Sequence, residues 1–161
     1  MRCLSRTVAL PLWTREPASE AELERLAELR RLATVRAVGA PEEEVRAANR
    51  EVRRASLELW IVNERSRGAS MELEFQAMRL GNIALLGIPC EPFNQLAAEI
   101  KRRSPFPVTL FSGYTNGFTG YMPNAEAYPE GGYEVWVTPY APEAAGITVE
   151  KGLEIISQLA N

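Results

Sequence analysis

The chain has 161 residues, of which 46% are hydrophobic and 24% charged, enough for one domain with a hydrophobic core. Its net charge of -3 provides no basic surface of the kind that binds nucleic acid. Histidine is absent, so any chemistry that needs an imidazole must take it from elsewhere. The apolar residues 7–12 are too few for a secretion signal, and no stretch approaches the roughly 20 apolar residues of a transmembrane segment. These features predict a soluble, cytoplasmic protein.

The first half of the chain predicts one strand and two helices. Residues 6–12 form the strand, and Ser19 with Glu22 fits a capping box that opens the first helix. A second helix follows Pro41 and ends at Gly68. Its apolar stripe, with spacings of three and four, must pack on the first helix, on a sheet or on a second copy of the chain. The stripe consists of Val45, Ala48, Val52, Ala55, Leu59 and Val62.

The second half begins with strands of two kinds. Residues 71–77 alternate between apolar and polar, which predicts a strand with one face in water. Gly81 and Asn82 form a hairpin signal that leads into the apolar run 83–88. Residues 108–111 also lack alternation. Strands without alternation are typical of a sheet that is covered on both faces.

The remaining segments predict a helix after Pro92, one helical turn within residues 123–128, a strand at residues 133–137 and a last helix at residues 147–159. The order of elements predicts an α/β (α+β) fold, in which helices cover a mixed sheet. Neither a repeat nor a linker-like composition divides the sequence, so we expect a single domain over residues 1–161.

One carboxylate and two phenols fall on turns in the second half. Glu91 lies between a buried strand and a helix, a position that aims a side chain at the carboxyl end of a sheet. It equally fits a helix N-terminus, where a carboxylate is favourable by about 0.3–1 kcal/mol. Tyr121 and Tyr133 each follow a glycine-rich turn. Each phenol fits either a cap over the core or a hydrogen-bond donor to developing negative charge.

Four motifs between residues 80 and 137 resemble those of the neutral ceramidase-like hydrolases, in particular their smaller bacterial relatives. The motifs are Pro89-Cys90-Glu91, Ser104-Pro105-Phe106, Asn116 to Tyr121, and Gly131-Gly132-Tyr133-Glu134. Tyr121 and Tyr133 are 12 positions apart, as in the family. Cys90 stands where the family has a glycine, and Phe118 stands where it has a tyrosine.

The resemblance implies a zinc-dependent amide hydrolase, of which this chain is the C-terminal portion of a larger catalytic domain. It implies that Glu91 and Tyr121 are zinc ligands and that Tyr133 is the catalytic hydroxyl near the scissile carbonyl. The two histidine ligands of the family lie in a preceding region. Zinc would therefore need ligands from outside this chain, supplied by an N-terminal half on another chain. The implied substrate is an amide or a lipid amide, and a missing N-terminal half would allow for export.

Two other interpretations remain open. The chain is a degenerate domain that keeps the pocket for binding without catalysis, or it is a structural module that forms a homo-oligomer through its apolar stripe. The missing histidines favour a chain that is inactive alone. The retained Glu91, Tyr121 and Tyr133 favour a partner that completes the site.

Overall fold

The computed structural model describes residues 1–13, 20–65 and 68–160, which fall into two compact units. The first unit comprises Met1–Trp13 and Gly68–Asn161, and the second comprises Thr14–Arg67. The expected capping residue Ser19 lies outside the described residues. The single domain over residues 1–161 stays a prediction.

The second unit is a pair of helices, α1 (Glu20–Arg36) and α2 (Glu42–Arg65), which pack against each other. Helix α2 begins with three glutamates, which interact favourably with the positive end of the helix dipole. Leu26, Ala33 and Ala48 are buried. Both helices predicted from the sequence are therefore present.

The predicted apolar stripe of α2 is described only in its first half. Ala48 is buried, while Val45 and Val52 are half-buried. The side chains of Ala55 and the two apolar residues that follow it on the stripe, at positions 59 and 62, lie outside the described part of the chain. Self-association through this stripe stays a hypothesis.

The first unit is built on a four-stranded mixed sheet. Its strands, in spatial order, are β1 (Arg2–Pro11), β2 (Ser70–Leu80), β3 (Ile83–Gly87) and β5 (Val108–Ser112). Strand β2 pairs antiparallel with both β1 and β3, whereas β3 and β5 are parallel. The mixed sheet with helices confirms the predicted fold class.

Two long helices cover one face of this sheet, which we call the inner face. Helix α3 (Asn94–Arg103) connects the parallel strands β3 and β5, as a parallel pair requires. Helix α6 (Glu143–Ala160) packs on α3 and on three strands. Gly152 allows this close approach, because a Cβ there would lie 2.7 Å from Cδ2 of Leu86 and 3.4 Å from Cδ1 of Ile100.

The opposite face, which we call the outer face, is more exposed to solvent than the inner face. Strand β2 alternates as predicted, with Leu73, Phe75 and Ala77 buried on the inner face. We expected β3 and β5 to be covered on both faces, and for β5 this is wrong. Val108 and Leu110 on the outer face are 43% and 51% exposed, because the helices of this unit lie on the inner face.

The segment expected to form the last strand is instead a short helix, α5 (Tyr133–Val137). Gly131 and Gly132 adopt φ angles of 75° and 109°, which turn the backbone. The amide of Trp136 then donates to the carbonyl of Gly132 at 2.9 Å, which closes a helical turn. A helical turn, α4 (Ala127–Glu130), precedes it. None of the described helices is both long and apolar enough to cross a membrane.

Candidate functional site

Two segments meet beyond the carboxyl ends of β3 and β5, where open α/β sheets usually bind ligands. One is the turn 88–92 and the other is the loop 113–120. Their backbones are joined by amide-to-carbonyl hydrogen bonds of 2.9–3.0 Å, which run from Thr115 to Ile88, from Tyr114 to Cys90 and from Thr119 to Pro89. The loop is thereby held against the turn along its length.

Gly113 makes the contact between turn and loop possible. A Cβ at this position would lie 2.9 Å from the carbonyl oxygen of Cys90 and 3.2 Å from Cδ of Pro92. Real Cβ atoms almost never approach a backbone oxygen so closely, so a larger residue would push the loop outward. The glycine therefore sets the distance between the two segments.

A two-residue parallel pairing places the first two predicted site residues side by side. Strand β4 (Glu91–Pro92) pairs with β6 (Tyr121–Met122), and Glu91 is the register partner of Tyr121. The amide of Glu91 donates to the carbonyl of Gly120 at 2.9 Å. Register partners on adjacent strands lie roughly 5 Å apart. The carboxylate and the phenol are thus neighbours, although 30 positions separate them in the sequence.

The third predicted site residue, Tyr133, joins them from the start of α5. Its ring centroid lies 5.9 Å from that of Tyr121, with an interplanar angle of 74°. Thr138, which follows α5, donates a hydrogen bond to the carbonyl of Tyr121 at 2.7 Å. The structure therefore brings together Glu91, Tyr121 and Tyr133 from three separate segments.

Tyr114 is a further member of the site that the sequence reasoning missed. Its hydroxyl donates a hydrogen bond to Oε2 of Glu91. Its backbone is left-handed, with φ of 57°, as is that of Asn116. Such conformations are uncommon for residues other than glycine and concentrate at functional sites. Tyr114 precedes the ceramidase-like motif, so the motif gave no reason to select it.

The aromatic rings of the site form a continuous row. Tyr114 stacks on Phe118 with centroids 5.3 Å apart, and Phe118 meets the edge of Tyr121 at 6.4 Å. The row continues to Tyr133. Tyr114, Phe118 and Tyr133 are each about half exposed. The row therefore offers an apolar surface beside the carboxylate.

The environment of the site raises the pKa of two of the phenols above the ordinary value. The hydrogen bond to the Glu91 carboxylate raises the pKa of Tyr114 to about 12. Burial, and then the charge of Glu91, raise the pKa of Tyr121. Both hydroxyls are therefore donors in this state, and only a nearby cation would favour their anionic form.

Cys90 does not contribute a metal-binding thiolate. It is fully buried, and this burial raises the pKa of its thiol to about 12. Metals bind the thiolate, so a neutral buried thiol is a poor ligand. Among the described non-glycine residues, positive φ angles occur at Tyr114 and Asn116, so the turn at Cys90 does not need a glycine conformation. Cys90 serves as a small apolar residue of the core.

The second ceramidase-like motif lies away from the site. Ser104 and Phe106 precede β5, whereas the site loop follows the carboxyl end of that strand. Thr109 donates to Oγ of Ser104 at 2.6 Å, and the amide of Phe106 donates to the same atom at 3.2 Å. Phe106 is buried. This motif shapes the connection between α3 and β5.

The metal-binding side chains in the described part of the chain do not fit a complete zinc site. Among the described residues, no three His, Cys, Asp or Glu side chains lie close enough together to hold a metal ion. The site has the carboxylate of Glu91 beside the phenols of Tyr114 and Tyr121, and the charge of Glu134 also contributes to the raised pKa of Tyr121. Catalytic zinc usually takes three protein ligands. The described residues of this chain therefore do not by themselves provide a catalytic zinc site.

Comparison with solved structures finds ceramidases. A structure described as a ceramidase complexed with C2 matches with a TM-score of 0.51 and 25% identity, covering 55% of this chain and 15% of that chain. The neutral ceramidase from Pseudomonas aeruginosa matches with a TM-score of 0.53 and 16% identity, covering 99% of this chain and 28% of that chain. No protein family and no curated protein sequence matches the chain.

The structural neighbours confirm the resemblance to ceramidases at the level of the fold. The chain spans less than a third of the length of either ceramidase. It is therefore similar to a fragment of a ceramidase.

Proposed function

We propose that this chain forms part of the active site of a ceramidase-like, zinc-dependent amide hydrolase. The observation that carries the proposal is the convergence of Glu91, Tyr121 and Tyr133 at the carboxyl end of the sheet. Groups from three segments meet beside a row of exposed rings, as expected of a ligand site. The similarity in fold to ceramidases supports the same class.

Each residue has a role in the proposed assembled site. Glu91 and Tyr121 would hold zinc, which would polarise the substrate carbonyl, and Tyr133 would donate a hydrogen bond to the oxygen on which negative charge develops. Thr138 fixes the backbone of Tyr121, and Tyr114 fixes the carboxylate of Glu91. These last two are positioning residues, because they act through the proposed ligands. The aromatic row is the wall against which the apolar part of an amide or lipid-amide substrate packs.

The remaining zinc ligands come from outside the chain in this proposal. The sequence has no histidine, so the imidazoles belong to an N-terminal half, either on another chain or in another segment of the same polypeptide. The chain alone is inactive, and the assembled enzyme carries the zinc. We also propose that the assembled enzyme is cytoplasmic, as the sequence predicts for this chain.

A second candidate function is a non-catalytic binding or structural domain that self-associates. The incomplete donor set favours this alternative, because a domain that has lost catalysis has no need of a complete metal site. The two candidates differ in one respect that can be measured. Only the first requires Glu91 and Tyr133 for turnover in a complex.

The test is an amide hydrolysis assay with a fluorescent N-acyl sphingosine. The chain is assayed alone and co-expressed with the product of the neighbouring gene. We expect no turnover by the chain alone, turnover by the pair, and loss of turnover in Glu91→Gln and Tyr133→Phe. Glu130→Gln, on the exposed end of α4, is the matched control. Turnover that survives Glu91→Gln would contradict the proposal.

A further inference from the structure

We propose that the outer face of the sheet is the docking surface for the polypeptide that completes the site, an apolar layer that carries imidazole donors at one end. This inference rests on the proposed function. The surface, which we call the outer apolar patch, consists of Met78, Leu80, Ile83, Leu85, Val108 and Leu110.

The six residues form two complete rows across three strands. In one row, Leu85 is the register partner of both Met78 and Leu110. In the next row, Ile83 is the partner of both Leu80 and Val108. Exposed fractions in the patch reach 60% at Leu80 and 51% at Leu110. Contiguous exposed apolar side chains of this kind mark interaction surfaces.

The sequence of these strands supports the same conclusion. Strands β3 and β5 have apolar residues on both faces, a pattern typical of strands that are covered on both sides. The helices α3 and α6 of the first unit cover the inner face. The pattern therefore indicates a second layer that belongs on the outer face.

The apolar character is confined to one part of the outer face. On β1 and β2 the same face continues with Ser5, Thr7 and Glu74, and Ser5 donates a hydrogen bond to Glu74. A surface that changes from apolar to polar across one sheet has a defined edge. The patch is thus suited to an apolar partner of limited width rather than to general hydrophobic contact.

The patch leads directly to the candidate site. Beyond the row of Leu85, the next outer position on β3 is Gly87, whose register partners are Gln76 and Ser112. Thr115 of the site loop packs over this glycine, since a Cβ there would lie 2.5 Å from Oγ1 of Thr115. A groove of about 480 Å³ lies along this boundary. A layer seated on the patch would therefore reach the loop that carries Tyr114.

A second copy of this chain would cover the patch but would not complete the site. It would bring the same carboxylate and phenols, and the sequence contains no imidazole. Most of the neutral ceramidase from Pseudomonas aeruginosa lies outside the part that matches this chain. We propose that the layer corresponds to a region of that remaining part. The occupant is therefore the part of the domain that bears the missing donors.

The test begins with site-specific photo-crosslinking in the cells that make the protein. A benzophenone amino acid replaces Leu110 in the patch, or Ala9 at the polar end of the outer face as the control. We expect an adduct at position 110 alone, with a peptide from a histidine-containing, ceramidase-like polypeptide or from another segment of the same polypeptide. An adduct with a second copy of this chain, or equal labelling at both positions, would overturn the proposal. So would an absence of adducts.

Association with the identified partner is then measured. Leu110→Lys should weaken it by about tenfold or more, because a charge buried without a partner is unfavourable, while Ala9→Lys should stay within about twofold. Leu110 is half exposed, so the isolated variant should fold, and its thermal midpoint checks this. Unchanged association of Leu110→Lys would overturn the docking surface.

A third variant separates the two proposals. Glu91→Gln should associate like the wild type and lose hydrolysis. If the wild-type complex forms through the patch but hydrolyses no amide, the proposed function fails and the docking surface stands. If hydrolysis persists at full rate in Leu110→Lys, the docking surface fails and the function stands.

Discussion

The hydrogen bond from Tyr114 to Glu91 is the most informative single contact in the site. It restrains the carboxylate, and it ties the site loop to the turn after β3. This hydrogen bond stabilises the protonated phenol, and the negative charge of the carboxylate adds a smaller effect, so the pKa of Tyr114 rises to about 12. The contact therefore has a direct spectroscopic signature.

Replacing the carboxylate should lower the pKa of this tyrosine. In Glu91→Gln the amide carries no charge, so the pKa of Tyr114 should return toward 10, its ordinary value. Titration of the tyrosinate absorbance above pH 9 measures this, and Tyr114→Phe identifies which phenol moves. Glu99→Gln, on α3, is the control and should leave the curve unchanged. Identical curves for wild type and Glu91→Gln would rule out the contact.

The two cysteines should differ strongly in reactivity. Cys3 is exposed, whereas Cys90 is buried with its pKa raised to about 12. With a disulfide reagent at pH 8 we expect one fast thiol, which disappears in Cys3→Ser, and a second thiol only after unfolding. The thiolate is the reactive form, so both burial and the high pKa slow Cys90. Two fast thiols in the native protein would contradict the buried position.

The residues that we assign to the candidate site from the sequence are those that a motif marks, and their role stays a prediction. Glu91, Tyr121 and Tyr133 lie within or directly after turn-forming sequences, and the structure brings these three together. Tyr114 was not predicted as a site residue, because it is distinguished by a left-handed backbone angle and by a hydrogen-bond partner 23 positions away. Neither property leaves a pattern in the neighbouring residues.

Helix α6 offers a matched pair of glycine substitutions. Gly146 has no neighbouring atom within 4 Å of an added Cβ, whereas at Gly152 that Cβ would meet the buried Leu86 at 2.7 Å. Gly146→Ala should stabilise the protein by up to about 1 kcal/mol through helix propensity. Gly152→Ala should destabilise it by about 1–2 kcal/mol, because overpacking outweighs the same gain.

Urea unfolding of both variants checks this packing of α6 on the sheet. The two substitutions are chemically identical and lie on one helix, so their difference isolates the contact with β3. Equal free energies of unfolding would show that α6 does not approach the sheet as closely as Gly152 indicates.

Helices and strands were predictable from the sequence where the periodic pattern of apolar residues extended over enough positions. The alternation in β2 and the spacing in α2 gave both elements correctly. Residues 133–137 have β-branched and aromatic side chains that suit a strand, but five residues carry little propensity. Gly131 and Gly132 turn the backbone directly before this segment, and tertiary packing then favours a helix over a strand. The two-residue strands β4 and β6 are too short to show any period.

The stability of the whole protein should fall in alkaline solution. Tyr114 and Tyr128 both have folded-state pKa values of about 12, above the ordinary value of 10. The folded state therefore keeps phenolic protons that the unfolded state releases between pH 10 and 12. Their contribution is fully present below pH 10 and is lost as the pH rises through 12.

Urea unfolding at pH 9, 10 and 11 measures this loss. Tyr128→Phe should reduce the slope above pH 10, because burial is the main cause of the shift at this phenol. A slope that is the same with and without the Tyr128 hydroxyl would contradict the assignment.

The exposed patch and the incomplete donor set are separate features of the molecule, and one proposed partner would explain both. An exposed apolar area on the described sheet and a carboxylate site in a sequence without histidine both fit the partner that we propose. This chain covers 28% of the neutral ceramidase that it matches over nearly its whole length. Composition alone could not predict the exposed patch, because an ordinary globular composition does not show which apolar residues lie on the surface.

Calorimetric zinc titration tests the central claim most directly. We predict no tight zinc binding by the isolated chain, one zinc per complex once the histidine-bearing partner is bound, and a loss of about a hundredfold or more in affinity for the Glu91→Gln complex. Losing a direct ligand should cost at least as much as the 10–100-fold cost of losing a supporting partner. Tight, stoichiometric zinc in the isolated chain, or unchanged affinity in the Glu91→Gln complex, would contradict the account.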